Sequence, residues 1–101
     1  MPKGYVLLTE AIHDPEGMKA YAKASGASLA EHKPSVLAVD EGEVVEGEWP
    51  GSRTVLLEFE SVEDARAWYT SAEYEAAKPL RQAAADCNAV ILSGFEAPPR
   101  S

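Results

Sequence analysis

Four strand-like segments with apolar side chains on both faces are what most constrain this chain. Side chains alternate between the faces of a strand. In residues 5–12, Tyr5 and Leu7 point one way and Val6, Leu8 and Ile12 the other. In residues 53–60, Val55, Leu57 and Phe59 oppose Leu56. In residues 88–95, Ile91 and Phe95 oppose Val90 and Leu92. A sheet that is apolar on both sides must be covered on both sides. Two helical regions can cover one face of such a sheet. The other face would leave a larger apolar patch than monomers ordinarily expose. A second copy packed sheet against sheet about a two-fold axis is the economical cover, so a homodimer through the sheet faces is expected. The Pro-rich tail, residues 97–101, is too short to substitute for it.

The segments between these strands read as helices. Asp14 suits an N-cap, Pro15 the first helical position, and Glu16 the positive end of the helix dipole. This helix should run to Glu31 or His32 and stop before Pro34. Met18, Tyr21, Ala22, Ala24 and Leu29 are its apolar positions. Residues 35–40 read as the second strand, and residues 41–51 as an acidic connection carrying Trp49-Pro50. Ser61-Val62-Glu63-Asp64 resembles a capping box, opening a helix with Val62, Ala65, Trp68 and Tyr69 on one side. Ser71 restarts a helix. Pro79 removes a helical hydrogen bond at a cost of roughly 3 kcal/mol, so a break is expected near Ala77-Lys78, with Pro79 opening the second piece.

The order is β-α-β, a connection, then β-α-β. That is the split βαβ pattern of ferredoxin-like folds. The expected class is α+β: a ferredoxin-like subunit with a four-stranded antiparallel sheet, forming a dimeric α+β barrel. One domain is expected over residues 1–96, with residues 97–101 as a tail. A chain of 101 residues can bury one core of this kind.

Charge excludes several functions. Acidic residues outnumber basic ones by 17 to 9, for a net charge of −8. Nucleic-acid binding needs clustered Lys and Arg, and an anionic membrane repels such a chain. The single cysteine, Cys87, forbids an intrachain disulfide and fits a reducing, cytoplasmic setting. Cys87 reads as a small buried hydrophobe in an Ala-rich helical stretch. The N-terminus lacks a signal-peptide core, and no apolar run is long enough to span a bilayer.

Glu10 and Glu58 are the leading catalytic candidates. Placing the first and third strands side by side and parallel would match Leu8 with Leu56 and Glu10 with Glu58. Two carboxylates on one apolar face would repel, tuning one of them for acid–base work. The competing reading is two solvated or ion-paired carboxylates. Arg53 and Arg81 are candidate clamps for a carboxylate or phosphate, against the plainer role of ion-pairing with the acidic surplus. His32, at the end of the first helix, suits either catalysis or a C-terminal cap. His13 and His32 sit at opposite ends of one helix and make no local metal site. Trp68 and Tyr69 are candidate pocket walls, against the commoner role of core aromatics. No phosphate loop, zinc signature or nucleophile elbow occurs, so neither a cofactor nor a metal is expected.

Several stretches together resemble the DUF1330 family: Gly4-Tyr5, Asp14-Pro15-Glu16, Glu46-Gly47 with Trp49, Arg53 before Glu58-Phe59, and Ala65 with Trp68-Tyr69, Ser71 and Glu73-Tyr74. Lys78 and Arg81 continue the pattern. The resemblance implies a ferredoxin-like subunit that dimerises through its sheets. The chain departs from the family at Lys33-Pro34 and Asp40-Glu41, where glycines are usual, and at Pro79. Two roles follow as expectations. One is a cofactor-independent oxygenase or isomerase acting on a small organic molecule, with Glu58 as acid or base. The other is a non-catalytic ligand-binding or interaction domain. Haem is disfavoured, because His32 is the one plausible ligand and is poorly placed. Sharing a fold does not transfer chemistry.

Overall fold

The computed structural model describes residues 2–96. The elements run β1 (Gly4–Ile12), α1 (Pro15–His32), β2 (Ser35–Asp40), β3 (Arg53–Phe59), α2 (Val62–Tyr69), α3 (Ala72–Ala84) and β4 (Ala85–Ser93). The tail expected at residues 97–101 lies outside the described residues.

Local chemistry sets the helix ends. The Asp14 carboxylate accepts from the Gly17 N–H at 3.1 Å, and Pro15 fills the first turn. At the far end, Lys33 adopts a left-handed φ of 48° and its N–H reaches the Leu29 carbonyl at 2.8 Å. Glycine is the usual occupant of this cap, so the chain keeps the cap geometry without the glycine expected there. The Ser61 hydroxyl caps α2 by accepting from the Asp64 N–H, and the Ser71 hydroxyl caps α3 through Tyr74.

The break expected at Ala77-Lys78 does not occur. α3 runs unbroken from Ala72 to Ala84 with Pro79 inside it. Pro79 is exposed, so its ring faces solvent, and water can serve the Glu75 carbonyl that loses its helical donor. The chain breaks instead at Thr70-Ser71, between two capped helices.

The four strands form one sheet in the order β2-β3-β1-β4, every pair antiparallel. The expected α+β subunit with a four-stranded antiparallel sheet is therefore the observed one, but the parallel pairing of the first and third strands is not. The α1 crossover returns β2 parallel to β1. The connection after β2 then reverses the chain, so β3 runs against β1. The register places Glu10 opposite Arg53 and Tyr5 opposite Glu58.

β4 starts at Ala85, three residues earlier than expected. Ala85 caps α3 in extended conformation, and Ile12, Ala11 and Glu10 pair with Ala85, Asp86 and Cys87. Cys87 is thus a strand residue beside Glu10, not a helical one.

Val6, Leu8, Val55, Leu57 and Phe59 face the helices and are buried against Met18, Tyr21, Ala65, Trp68, Tyr74 and Ala77. Trp68 is the centre of an aromatic stack, with its ring 4.1 Å from Tyr74 and 5.6 Å from Phe59. The opposite face, carrying Tyr5, Leu7, Leu56, Val90 and Leu92, has no helix on it. Val90 and Leu92 are 44% and 46% exposed there.

Candidate functional site

Antiparallel register puts three polar side chains in one row on the helix-facing side: Arg53 on β3, Glu10 on β1 and Cys87 on β4. Glu10 shares this face with Val6 and Leu8 and is 1% exposed. The Arg53 Nε lies 3.1 Å from Glu10 Oε1. The N–H does not point along that contact. The pair is a charge contact, and both atoms lack a hydrogen-bond partner among the described residues.

The backbone under Glu10 is held by the return of the acidic connection. Ser52 donates to the Glu10 carbonyl through its N–H at 3.0 Å and its hydroxyl at 3.3 Å. Gly51 passes so close that a Cβ there would sit 2.8 Å from the Glu10 nitrogen. Only glycine permits this approach.

A cleft of about 190 Å³ opens between α1 and the β2–β3 side of the sheet. Glu10, Arg53 and Leu8 lie on its floor. Tyr21 and Ser25 of α1, Val39 of β2 and Trp68 of α2 form its walls. Trp68 is fixed by donating through Nε1 to the Ser28 hydroxyl at 3.1 Å. Tyr21 and Tyr74 join their hydroxyls at 2.8 Å. On the β4 side of Glu10, a second depression of about 440 Å³ is lined by Tyr69, Arg81 and Cys87.

Burial pushes the Glu10 carboxyl above the usual carboxylate range, and the nearby charges of Arg53 and Arg81 oppose that push. Burial likewise raises the Tyr21 and Tyr74 hydroxyls and the Cys87 thiol. The cleft therefore offers one carboxyl able to give or take a proton, a cation beside it, and largely apolar walls. Among the described residues no cluster of His, Cys, Asp and Glu suits a metal ion.

The expected site residues divide accordingly. Glu10, Arg53 and Trp68 meet in the cleft. Arg81 and Tyr69 line the neighbouring depression. Glu58 does not join Glu10: it lies on the open face, where its carboxylate accepts from the Tyr5 hydroxyl at 2.9 Å. The physical reason is the antiparallel register, which gives Glu58 the opposite face. His32 is the last residue of α1, three residues beyond Leu29 at the edge of the cleft, and is not among the residues that line it. Tyr21, Ser25 and Cys87 join the lining beyond the expected site residues; Tyr21 and Tyr74 read from sequence first as core aromatics, with a pocket wall the lesser reading. The tyrosines carried a signal, since a buried hydroxyl needs a partner. Cys87 carried none while it was read as helical.

The fold and cleft define the class: a ferredoxin-like α+β subunit with a buried acid–arginine pair under its first helix. The chain belongs to the DUF1330 family, a domain of unknown function, whose model matches residues 3–95. No curated protein matches the chain. Among solved structures it is similar to a protein of unknown function from Rhodopseudomonas palustris. Identity there is 18% and the TM-score 0.72, over 95% of this chain and 85% of that one. A dimeric ferredoxin-like protein of unknown function from Thermobifida fusca matches at 14% identity and TM-score 0.63, over 91% of each chain. SnoaB, a cofactor-independent oxygenase from Streptomyces nogalater, matches at 10% identity and TM-score 0.65, over 99% of this chain and 100% of that one. At these identities the likeness shows the fold. No helix of the described residues is long and apolar enough to cross a membrane.

Proposed function

We propose that this protein binds a small organic molecule in the cleft under α1 and uses Glu10 as its acid–base group. The single observation that carries this reading is a carboxyl 1% exposed, lacking a hydrogen-bond partner at Oε1, on the floor of that cleft. A buried, perturbed acid in a cleft is a common mark of a functional site. The ionised carboxylate would take a proton from a weakly acidic C–H of the ligand, and Arg53 would hold the enolate that forms. Returning the proton to a different carbon completes an isomerisation. Dioxygen would instead convert a CH₂ group to C=O with release of water; SnoaB, which shares the fold, is a cofactor-independent oxygenase.

A binding role without turnover is the second reading. It is favoured by the Arg53–Glu10 contact, which keeps the carboxylate engaged in the free protein.

The test is proton exchange in heavy water with a panel of small cyclic ketones and phenols, followed by NMR. General acid–base catalysis contributes on the order of 10²–10⁴ in rate. Wild type should accelerate exchange of at least one compound by tenfold or more over Glu10→Gln. Binding in the cleft without acceleration would select the second reading. Failure of every compound to perturb Tyr21, Ser25 and Val39 would overturn both.

The working unit of this proposal is a homodimer through the open sheet face. Exposed Val90 and Leu92, beside half-buried Leu7 and Leu56 on the face without helices, support it, as do dimeric neighbours of the same fold. Light scattering should give twice the 10.8 kDa chain mass at micromolar concentration, and Leu92→Glu should halve it. A wild-type monomer would refute the pairing.

A further inference from the structure

Arg81 is the buried cation of the described residues, at 2% exposure. Among those residues no carboxylate lies within ion-pair distance of it. Its Nε has no hydrogen-bond partner. Its Nη2 donates to the Tyr69 hydroxyl at 3.5 Å, the long limit for such a bond. Glu10 feels the Arg81 charge but stays beyond ion-pair distance of it. A buried guanidinium with no anion in contact is costly, since buried charges are ordinarily paired. The missing partner is an anion.

The space for one is present. Arg81 lines the depression of about 440 Å³ between the helices and β4, with Tyr69, Gln82 and Asp86 around it. A second depression, of about 350 Å³, shares Tyr69 and Ala89 and continues along Ile91 and Val6. Its lining is apolar. The two together form a groove with a cationic head and a hydrophobic run. This groove is on the β4 side of Glu10 and is separate from the cleft, which lies on the β3 side.

We infer that the groove binds a small monocarboxylate with an apolar body, held at its head by the Arg81 guanidinium. The bidentate fork matches a carboxylate, and Tyr69 is half-buried and only weakly held to Arg81. One charge is the limit. Arg81 is the lone cation in the lining, Asp86 would repel a dianion, and neighbouring Lys78 is engaged with Glu75. The apolar run along Tyr69, Ala89 and Ile91 would take a ring or a short chain.

The test uses benzoate as the probe on the 101-residue wild-type chain, at constant ionic strength set with sodium chloride. Two-dimensional ¹H–¹⁵N NMR should show a saturable shift of the Arg81 Nε–H and of the Gln82, Cys87 and Ala89 amides. The Ser25 and Val39 amides of the cleft should stay still. Arg81→Lys should weaken binding at least tenfold, because an ammonium lacks the fork. Tyr69→Phe should change it several-fold. The wild-type amide shifts stand without either variant should one fail to fold. Non-saturating shifts, an equal response to phosphate, unchanged affinity in Arg81→Lys, or shifts confined to Ser25 and Val39 would each overturn the inference. The last outcome would still leave the cleft reading standing.

Discussion

Replacing Glu10 by Gln removes a charge from a site that is 1% exposed while keeping the side chain's shape. Burial raises the Glu10 pKa in the fold above its unfolded value of about 4.3. Between those two values the native state binds more protons than the unfolded chain. Stability is therefore full below about pH 4 and falls as pH rises through the window. Each pH unit crossed costs up to about 1.4 kcal/mol, and the uncharged amide of the Glu10→Gln variant contributes no such slope. Arg53 and Arg81 work in the other direction, but burial is the larger effect: the Arg53 side chain is 41% exposed, so solvent screens it, and Arg81 lies beyond ion-pair distance. The assay is urea unfolding followed by tryptophan fluorescence from pH 4 to pH 8, at one protein concentration. With a urea dependence of about 1–3 kcal/mol per M, the wild-type midpoint should drop by about 0.5–1.4 M relative to Glu10→Gln for each pH unit inside the window. Parallel midpoints across the whole range would refute the reasoning. A wild type that gains on Glu10→Gln as pH rises would show that the Arg53 contact outweighs burial.

Three further outcomes follow from the packing. Pro79→Ala should restore a donor to the Glu75 carbonyl in an unbroken helix, raising stability by about 2 kcal/mol after allowing for the looser unfolded chain, read by urea midpoint. Gly51→Ala would force a Cβ to within 2.8 Å of the Glu10 nitrogen and should cost about 1–3 kcal/mol, while shifting the Glu10 and Ser52 amide resonances. Trp68→Phe removes the Nε1 donor to the buried Ser28 hydroxyl and should cost about 1–3 kcal/mol in thermal or urea unfolding, with far-UV circular dichroism unchanged.

Much of the fold was legible because it rests on local rules. Alternation in β1 and β3, the Asp14-Pro15 start of α1, and the Ser61 and Ser71 caps each depend on neighbours a few residues away. The apolar second face was legible for the same reason: period-two alternation marks both faces of a strand without knowledge of its partners. Pro79 is not legible as a helix-interior residue, because a helix tolerates proline where the freed carbonyl meets water, and solvent access is a tertiary fact. Glu10 and Arg53 could be singled out by type, but not joined. Their contact depends on β3 running against β1, which is set by the direction in which two long connections return. That same direction sends Glu58 to the open face, and the separate pairing of β4 with β1 brings Cys87 beside Glu10. The sequence alone thus determined the elements and their two-sided apolar character. Tertiary structure decided which polar side chains became neighbours, because register and strand direction are summed over the whole chain and no local segment encodes them.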